Sequence, residues 1–88
     1  MKKLPTELRK NGYTYKQVTR AENKAIYAQY DSDLLISHEV FVIRKHQGYE
    51  IADRKIEAGE IFPKNEDFGK TAWSCTEKRA YEIYEKLD

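Results

Sequence analysis

The sequence predicts an α+β fold in which one antiparallel sheet of three to five strands carries a C-terminal α-helix on one face. Three observations support this prediction: runs of alternating side chains, polar turns between those runs, and an amphipathic segment at the C-terminus. The 88 residues suffice for one thin core, so we expect a single domain over residues 1–88.

The first element is predicted to be a short N-terminal helical turn over residues 4–12. Pro5 suits the first turn of a helix, and Asn11-Gly12 suits its C-terminal end. A helix this short is not stable alone, so Leu4 and Leu8 are expected to dock on the rest of the protein.

Two β-strands are predicted next, and they pair as an antiparallel hairpin. Residues 13–20 alternate between two faces, and residues 24–30 form a second β-rich run. The polar link over residues 21–23 is short enough for a hairpin turn.

The strongest predicted strand covers residues 39–44. Its four consecutive apolar residues are β-branched or aromatic, which is typical of a strand covered on both faces. Weaker extended pieces follow, and residues 63–73 show no clear period. We therefore predict a long loop over residues 63–73, which is unusual in a compact domain.

The C-terminal helix is predicted from a capping pattern and from an apolar stripe. Ser74 and Glu77 match the capping box, in which each side chain bonds to a backbone N–H of the other residue. The stripe has helical spacing and consists of Ala80, Ile83, Tyr84 and Leu87. We expect it to meet one of two alternate sets on the strongest strand, Val40 with Val42 or Phe41 with Ile43.

Composition and charge exclude several protein classes. The chain is 40% hydrophobic and 35% charged, too apolar for a disordered chain and too charged for a membrane protein. One cysteine cannot form an intrachain disulfide, and the N-terminal residues lack the apolar run of a signal peptide. We therefore expect a cytoplasmic protein without a membrane partner.

The net charge of +1 is unevenly distributed along the sequence. Residues 1–30 hold seven Lys and Arg against two Glu. A basic front can attract an anionic partner, but lysines near strand edges also keep small domains soluble, and we favour this second interpretation.

Two apparent chemical motifs fail on spacing. Gly69-Lys70-Thr71 resembles the end of a phosphate loop, but Lys64 stands where that motif has its first glycine. On a continuous strand, His38 and His46 would lie about 26 Å apart, at about 3.3 Å per residue, too far to share one metal ion. We predict no cofactor, no metal site and no catalytic residues.

Cys75 is a weaker candidate for chemistry. Its position in the first turn of the predicted helix would favour a reactive thiolate, and a nearby histidine would complete a nucleophilic pair. The sequence places neither histidine beside it, so we favour a small packed side chain. Whether Cys75 is reactive or merely packed stays open at this point.

Aromatic residues make up 12% of the chain, and they suggest a nucleic-acid surface as one interpretation. Aromatic rings on a sheet hold single-stranded bases, and flanking basic residues neutralise phosphates. The candidate residues are Tyr13, Tyr15, Lys16, Arg20 and Lys24. The same tyrosines equally suit a core under the helix, and we favour the core.

Three segments, residues 4–15, 39–43 and 63–73, resemble a group of short uncharacterised proteins from bacterial genomes and their phages or other mobile elements. The resemblance runs over nearly the whole chain but carries no known activity and no catalytic residues. It implies that residues 65–73 are characteristic of the group.

The function predicted from the sequence is that of a non-enzymatic binding module that contacts another macromolecule, most plausibly a protein. The absence of a catalytic pattern and the excess of tyrosine, which is common at interfaces, support this prediction. The candidate surface is the predicted loop, with Asn65, Glu66, Asp67, Phe68 and Trp73. The alternative is the single-stranded nucleic-acid binder, and both a monomer and a homodimer remain open.

Overall fold

A computed structural model describes residues 1–87. These residues form nine β-strands, one α-helix and one 3-10 turn. The strands are β1 (Glu7–Lys10), β2 (Tyr13–Arg20), β3 (Lys24–Asp31), β4 (Leu34–Val42), β5 (Arg44–His46), β6 (Tyr49–Ile51), β7 (Arg54–Ile56), β8 (Gly59–Ile61) and β9 (Ala72–Cys75). The 3-10 turn is Asn65–Asp67 and the helix is α1 (Glu77–Lys86). The predicted α+β class, with an antiparallel sheet and a C-terminal helix, is confirmed.

The main sheet has five strands in the order β1-β2-β3-β4-β9, and all neighbouring strands are antiparallel. Short turns connect the first four strands, so they follow one another across the sheet. The hairpin predicted from residues 13–20 and 24–30 is the β2–β3 pair. Strand β9 comes from much later in the chain and pairs with β4, so β1 and β9 are the two edge strands.

The N-terminal helical turn predicted over residues 4–12 is wrong, because Glu7–Lys10 is strand β1. Asn11 and Gly12 have φ angles of 56° and 84°. Two successive left-handed residues make the tight turn that suits the twist of an antiparallel hairpin. The Asn-Gly pair therefore closes a hairpin here instead of ending a helix.

Helix α1 covers one face of the sheet through its predicted apolar stripe. Ala80 is fully buried in one cluster with Ile26 and Val40. Partly buried side chains from the helix end and from β9 complete this contact, namely Ile83, Tyr84, Leu87, Trp73 and Cys75. Of the two sets left open by the sequence, the one that contains Val40 lies beneath the helix.

The opposite face of the sheet is covered by the connection between β4 and β9. Phe62 belongs to this connection, and its ring centroid lies 5.1 Å from that of Tyr15, 5.3 Å from that of Tyr27 and 5.1 Å from that of Phe41. Tyr27 and Phe41 are fully buried. The middle of β4 is therefore covered on both faces, as its apolar sequence predicts.

The start of helix α1 differs from the predicted capping pattern. Thr76 is the N-cap, and its Oγ1 accepts a hydrogen bond from the backbone N–H of Arg79 at 3.3 Å. Ser74, the predicted cap, lies in β9 opposite Glu39. Cys75 is likewise in β9 and not in the first turn of the helix. Long-range strand pairing overrides the local capping pattern here.

The loop predicted over residues 63–73 contains regular structure and is folded against the body of the protein. The 3-10 turn lies in it, and β9 begins before its end. The buried Asp67 carboxylate accepts a hydrogen bond from the N–H of Lys64 at 2.9 Å and lies 3.3 Å from Nη1 of Arg44. The predicted long loop is therefore only partly correct.

Candidate functional site

The five residues predicted to bind a protein do not form one surface. Asn65 and Glu66 are exposed at the 3-10 turn, but Asp67 is buried. Phe68 packs against the core on the face away from the helix, whereas Trp73 packs on the helix side. The sheet therefore separates the two aromatic residues of the set.

The residues predicted to bind single-stranded nucleic acid are also divided between the two faces. Tyr15 is buried in the core, and Tyr13 packs partly buried against the same cluster. Lys16 is exposed, and its Nζ lies 5.2 Å from the ring centroid of Tyr30. Adjacent residues of a strand point to opposite faces, so Lys16 cannot share a face with Tyr15.

The other two basic residues of that set, Arg20 and Lys24, are half-buried, and their charged groups bond within the fold. Nη1 and Nη2 of Arg20 donate to the Glu60 carboxylate at 2.6 and 2.8 Å. These hydrogen bonds, helped by one from the N–H of Leu4, lower the pKa of Glu60 to about 2. Nζ of Lys24 donates to the carbonyls of Tyr84 and Leu87 at 2.8 and 2.9 Å, at the C-terminal end of α1.

A run of exposed apolar side chains lies at the beginning of β4. Leu34, Leu35 and Ile36 expose 66%, 48% and 47% of their surface. β4 has nine residues and β9 has four, and the pairing between them ends at His38. Residues 34–37 therefore have a strand neighbour, β3, on one side only; we call these four residues the open edge.

A groove with a volume of about 510 Å³ runs beside the open edge. One wall is formed by residues 35–38 and the other by residues 74–77. It exists because the chain leaves the sheet at Thr76 to begin α1, so β9 does not continue along β4. The groove thus occupies the position that a longer β9 would take.

Cys75 and His38 both line this groove, as directly opposed residues of β9 and β4. The His38 side chain is 6% exposed, and its Nε2 lies 3.5 Å from Oε2 of Glu77. Burial raises the pKa of the Cys75 thiol, and the nearby Arg79 only partly opposes this. A catalytic thiolate needs a lowered pKa, so the environment favours a packed, protonated thiol.

A series of hydrogen-bonded polar side chains crosses the face of the sheet opposite α1, near the open edge. Nε2 of Gln29 donates to the hydroxyl of Tyr15 at 3.1 Å, and the hydroxyl of Ser37 donates to Oε1 of Gln29 at 2.9 Å. The Ser37 and Ser74 hydroxyl oxygens lie 3.0 Å apart. These bonds connect the open edge to β9 and to β2.

Glu39 lies on this same face and is 6% exposed. Burial raises the pKa of its carboxyl group to about 7, although the Lys10 ammonium favours the charged form. Glu39 stands between the covered middle of β4 and the open edge, at the point where the apolar covering ends.

The structure and the comparisons add three further findings. Within residues 1–87, no group of three or more His, Cys, Asp or Glu residues is arranged to hold a metal ion. In the same part of the chain, no helix has the length and apolar character needed to cross a membrane. Comparisons with protein-family models, curated proteins and solved structures found no match.

The open edge was not among the sites predicted from the sequence. A signal for it exists, because Leu34-Leu35-Ile36 follows directly after the turn residues Asp31-Ser32-Asp33. That pattern predicts an apolar strand after a turn, but it does not show that β9 ends before reaching these residues.

Proposed function

We propose that this protein is a non-enzymatic binding module that recognises another protein through the open edge and the adjoining groove. The observation that carries the proposal is the exposure of three consecutive large apolar side chains in the open edge, where β4 has no strand on its outer side. Contiguous exposed apolar surface of this kind marks interaction sites in soluble proteins.

Strand β1, at the opposite edge of the same sheet, differs from the open edge in its side chains. In β1 the outward-facing positions are charged, with Glu7 and Arg9 exposed, while Leu8 turns toward the core. Charged residues on an edge strand discourage pairing with other chains. The open edge lacks this protection, which is consistent with a surface that is kept available for a partner.

Two other functions receive less support. The nucleic-acid interpretation stays a prediction, but the ionic and hydrogen-bonding groups of Arg20 and Lys24 are already engaged within the fold. An enzymatic role for Cys75 is disfavoured because burial raises the pKa of its thiol. A cytoplasmic location remains part of the proposal and rests on the single cysteine.

The test compares wild-type protein with a Leu35→Ser/Ile36→Ser variant as baits for interacting proteins, identified by quantitative mass spectrometry. The matched control is Tyr49→Ser/Ile51→Ser on β6, because those two side chains expose 50% and 59% of their surface. We expect the edge variant to lose proteins that both the wild type and the control retain.

Each protein that the wild type and the control both capture is then purified, and its Kd for each of the three baits is measured. We expect at least about a tenfold weakening with the edge variant, which corresponds to about 1.4 kcal/mol. If every partner bound the edge variant as tightly as the wild type, the open edge would not be the binding site. Circular dichroism establishes that all three baits are folded.

A further inference from the structure

We propose, on the basis of the proposed function, that the partner supplies an extended apolar segment with basic flanks, which pairs with the open edge as an added strand. The added strand lies in the groove, in line with β9. The inference thus names both the binding mode and the chemistry of the partner segment.

The backbone of the open edge supports strand addition. Pairing with β9 stops at His38, and the chain turns away at Thr76 to form the helix. Leu34, Leu35 and Ser37 are paired to β3 on one side, and Ile36 lies at a β-bulge in that pairing. Residues 35–37 have the groove on their other side. An extended peptide binds such an edge through main-chain hydrogen bonds and uses alternate side chains for specificity.

The shape and apolar character of the site suit alternating apolar side chains. Leu35 and Ile36 form part of one groove wall, and Thr76 and Glu77 form part of the other. A volume of about 510 Å³ is within the range of natural ligand sites, roughly 300–1,000 Å³. Two or three apolar side chains of a strand can therefore be seated beside the open edge.

Charge at both ends of the open edge favours a basic partner. Asp31 and Asp33 are exposed at the turn that precedes β4, and the Glu77 side chain is 69% exposed at the other end. Two basic residues, Lys78 and Arg79, follow Glu77 on the helix, and Nη1 of Arg79 lies 3.4 Å from the Glu82 carboxylate. Lys or Arg on either side of the apolar segment would meet these acidic groups.

The same charges argue against a second copy of this chain as the occupant. In a two-fold antiparallel pairing through Leu35 and Ile36, the beginning of each strand meets the end of the other. That arrangement brings the acidic turn with Asp31 and Asp33 of one copy close to Glu77 of the other. Like charges across such an interface oppose association.

The experiment uses synthetic peptides and the full-length protein. The first probe is acetyl-Lys-Thr-Val-Thr-Val-Thr-Lys-amide; the second replaces both Lys by Glu; the third is the first with N-methyl groups on alternate amides. Binding is measured by amide chemical shifts and by hydrogen–deuterium exchange. We expect the Lys-flanked peptide to protect amides in residues 34–37, with Kd about tenfold lower than for either other peptide. Its binding should weaken as NaCl rises from about 50 to about 500 mM.

A charge-reversed variant sharpens the test. Asp31→Lys/Asp33→Lys should bind the Glu-flanked peptide better than the Lys-flanked one. The matched control is Glu50→Lys/Asp53→Lys on the exposed β6–β7 hairpin, which should keep the wild-type preference.

Four results would overturn the inference. If the N-methylated peptide bound the open edge as well as its parent, the surface would bind proteins without strand pairing, and the proposed function would stand. If no peptide bound, or if all bound equally in the charge-reversed variant, the stated chemistry would be wrong. If the protein instead self-associated through residues 34–37 in sedimentation experiments, the occupant would be a second copy. Of these results, only self-association also contradicts the proposed function, which otherwise fails through its own test with the edge variant.

Discussion

Strand β4 contains two apolar runs, residues 34–36 and residues 40–42, that lie in opposite environments. Val40 and Phe41 are fully buried, since Val40 lies beneath α1 and Phe41 beneath Phe62. Leu34 at the start of the same strand is 66% exposed. The two runs differ in what the rest of the chain lays over them, because the helix, β9 and the β4–β9 connection reach only the second. Whether an apolar run of a strand is buried or exposed therefore depends on what covers it.

The largest expected effect on stability comes from a substitution in the buried run of β4, which contains Val40 and Phe41. Phe41→Ala removes a fully buried ring that contacts Tyr27 and Phe62, so we expect it to lower the free energy of unfolding by about 3–5 kcal/mol. Urea denaturation followed by circular dichroism measures this loss. Phe41→Leu keeps part of the volume and should lose less. A loss below about 1 kcal/mol would mean that the covering of this face is loose.

The free energy of unfolding is expected to depend on pH through Glu39, which lies between the two runs. Its pKa is about 7 in the folded protein, above its ordinary value of 4.5, because burial favours the neutral form. The folded state thus holds a proton that the unfolded state has released between these values. The stability due to neutral Glu39 is complete below pH 4.5 and is lost as the pH rises through 7.

Glu39→Gln should remove this pH dependence, because Gln stays neutral. Relative to wild type, we expect the variant to gain about 2–3 kcal/mol of stability between pH 4.5 and pH 8, at about 1.4 kcal/mol per unit of pKa difference. Urea denaturation across this pH range gives the difference. Glu50→Gln, an exposed control on β6, should stay within about 0.5 kcal/mol of wild type. Parallel curves for wild type and Glu39→Gln would show that Glu39 is not held neutral.

The smallest effect on stability is expected at the open edge. Leu35→Ser changes a half-exposed side chain on a strand paired on one side only, so the free energy of unfolding should stay within about 0.5 kcal/mol of wild type. Thermal or urea denaturation checks this. A loss as large as that of Phe41→Ala would erase the contrast and assign the first run to the core.

Much of the fold could be predicted from local pattern. The alternation in residues 13–20, the short polar link and the second run specify the β2–β3 hairpin. The helical stripe of Ala80, Ile83 and Tyr84 packs as its spacing predicts. Such features depend only on neighbouring residues, so sequence alone reveals them.

Two local predictions failed where strand pairing took precedence over helix signals. Asn11-Gly12 suits both the end of a helix and a hairpin turn, and only the pairing of β1 with β2 decides between them. Ser74 suits a helix cap, but its pairing with Glu39 places it in a strand. At Ser74 a local capping preference of about 1 kcal/mol competes with the long-range pairing of β9 with β4. At Asn11-Gly12 two local structures compete, and the adjacent strands form the hairpin.

The sequence by itself determined the class of the fold, the central hairpin, the amphipathic helix and the apolar character of residues 34–36. Tertiary structure alone decided which apolar residues stay uncovered. The pairing of β9 with β4, more than thirty residues apart, stops at His38, and the cap at Thr76 then directs the chain off the sheet. That end point creates both the open edge and its groove, and it depends on a non-local contact that no local pattern records.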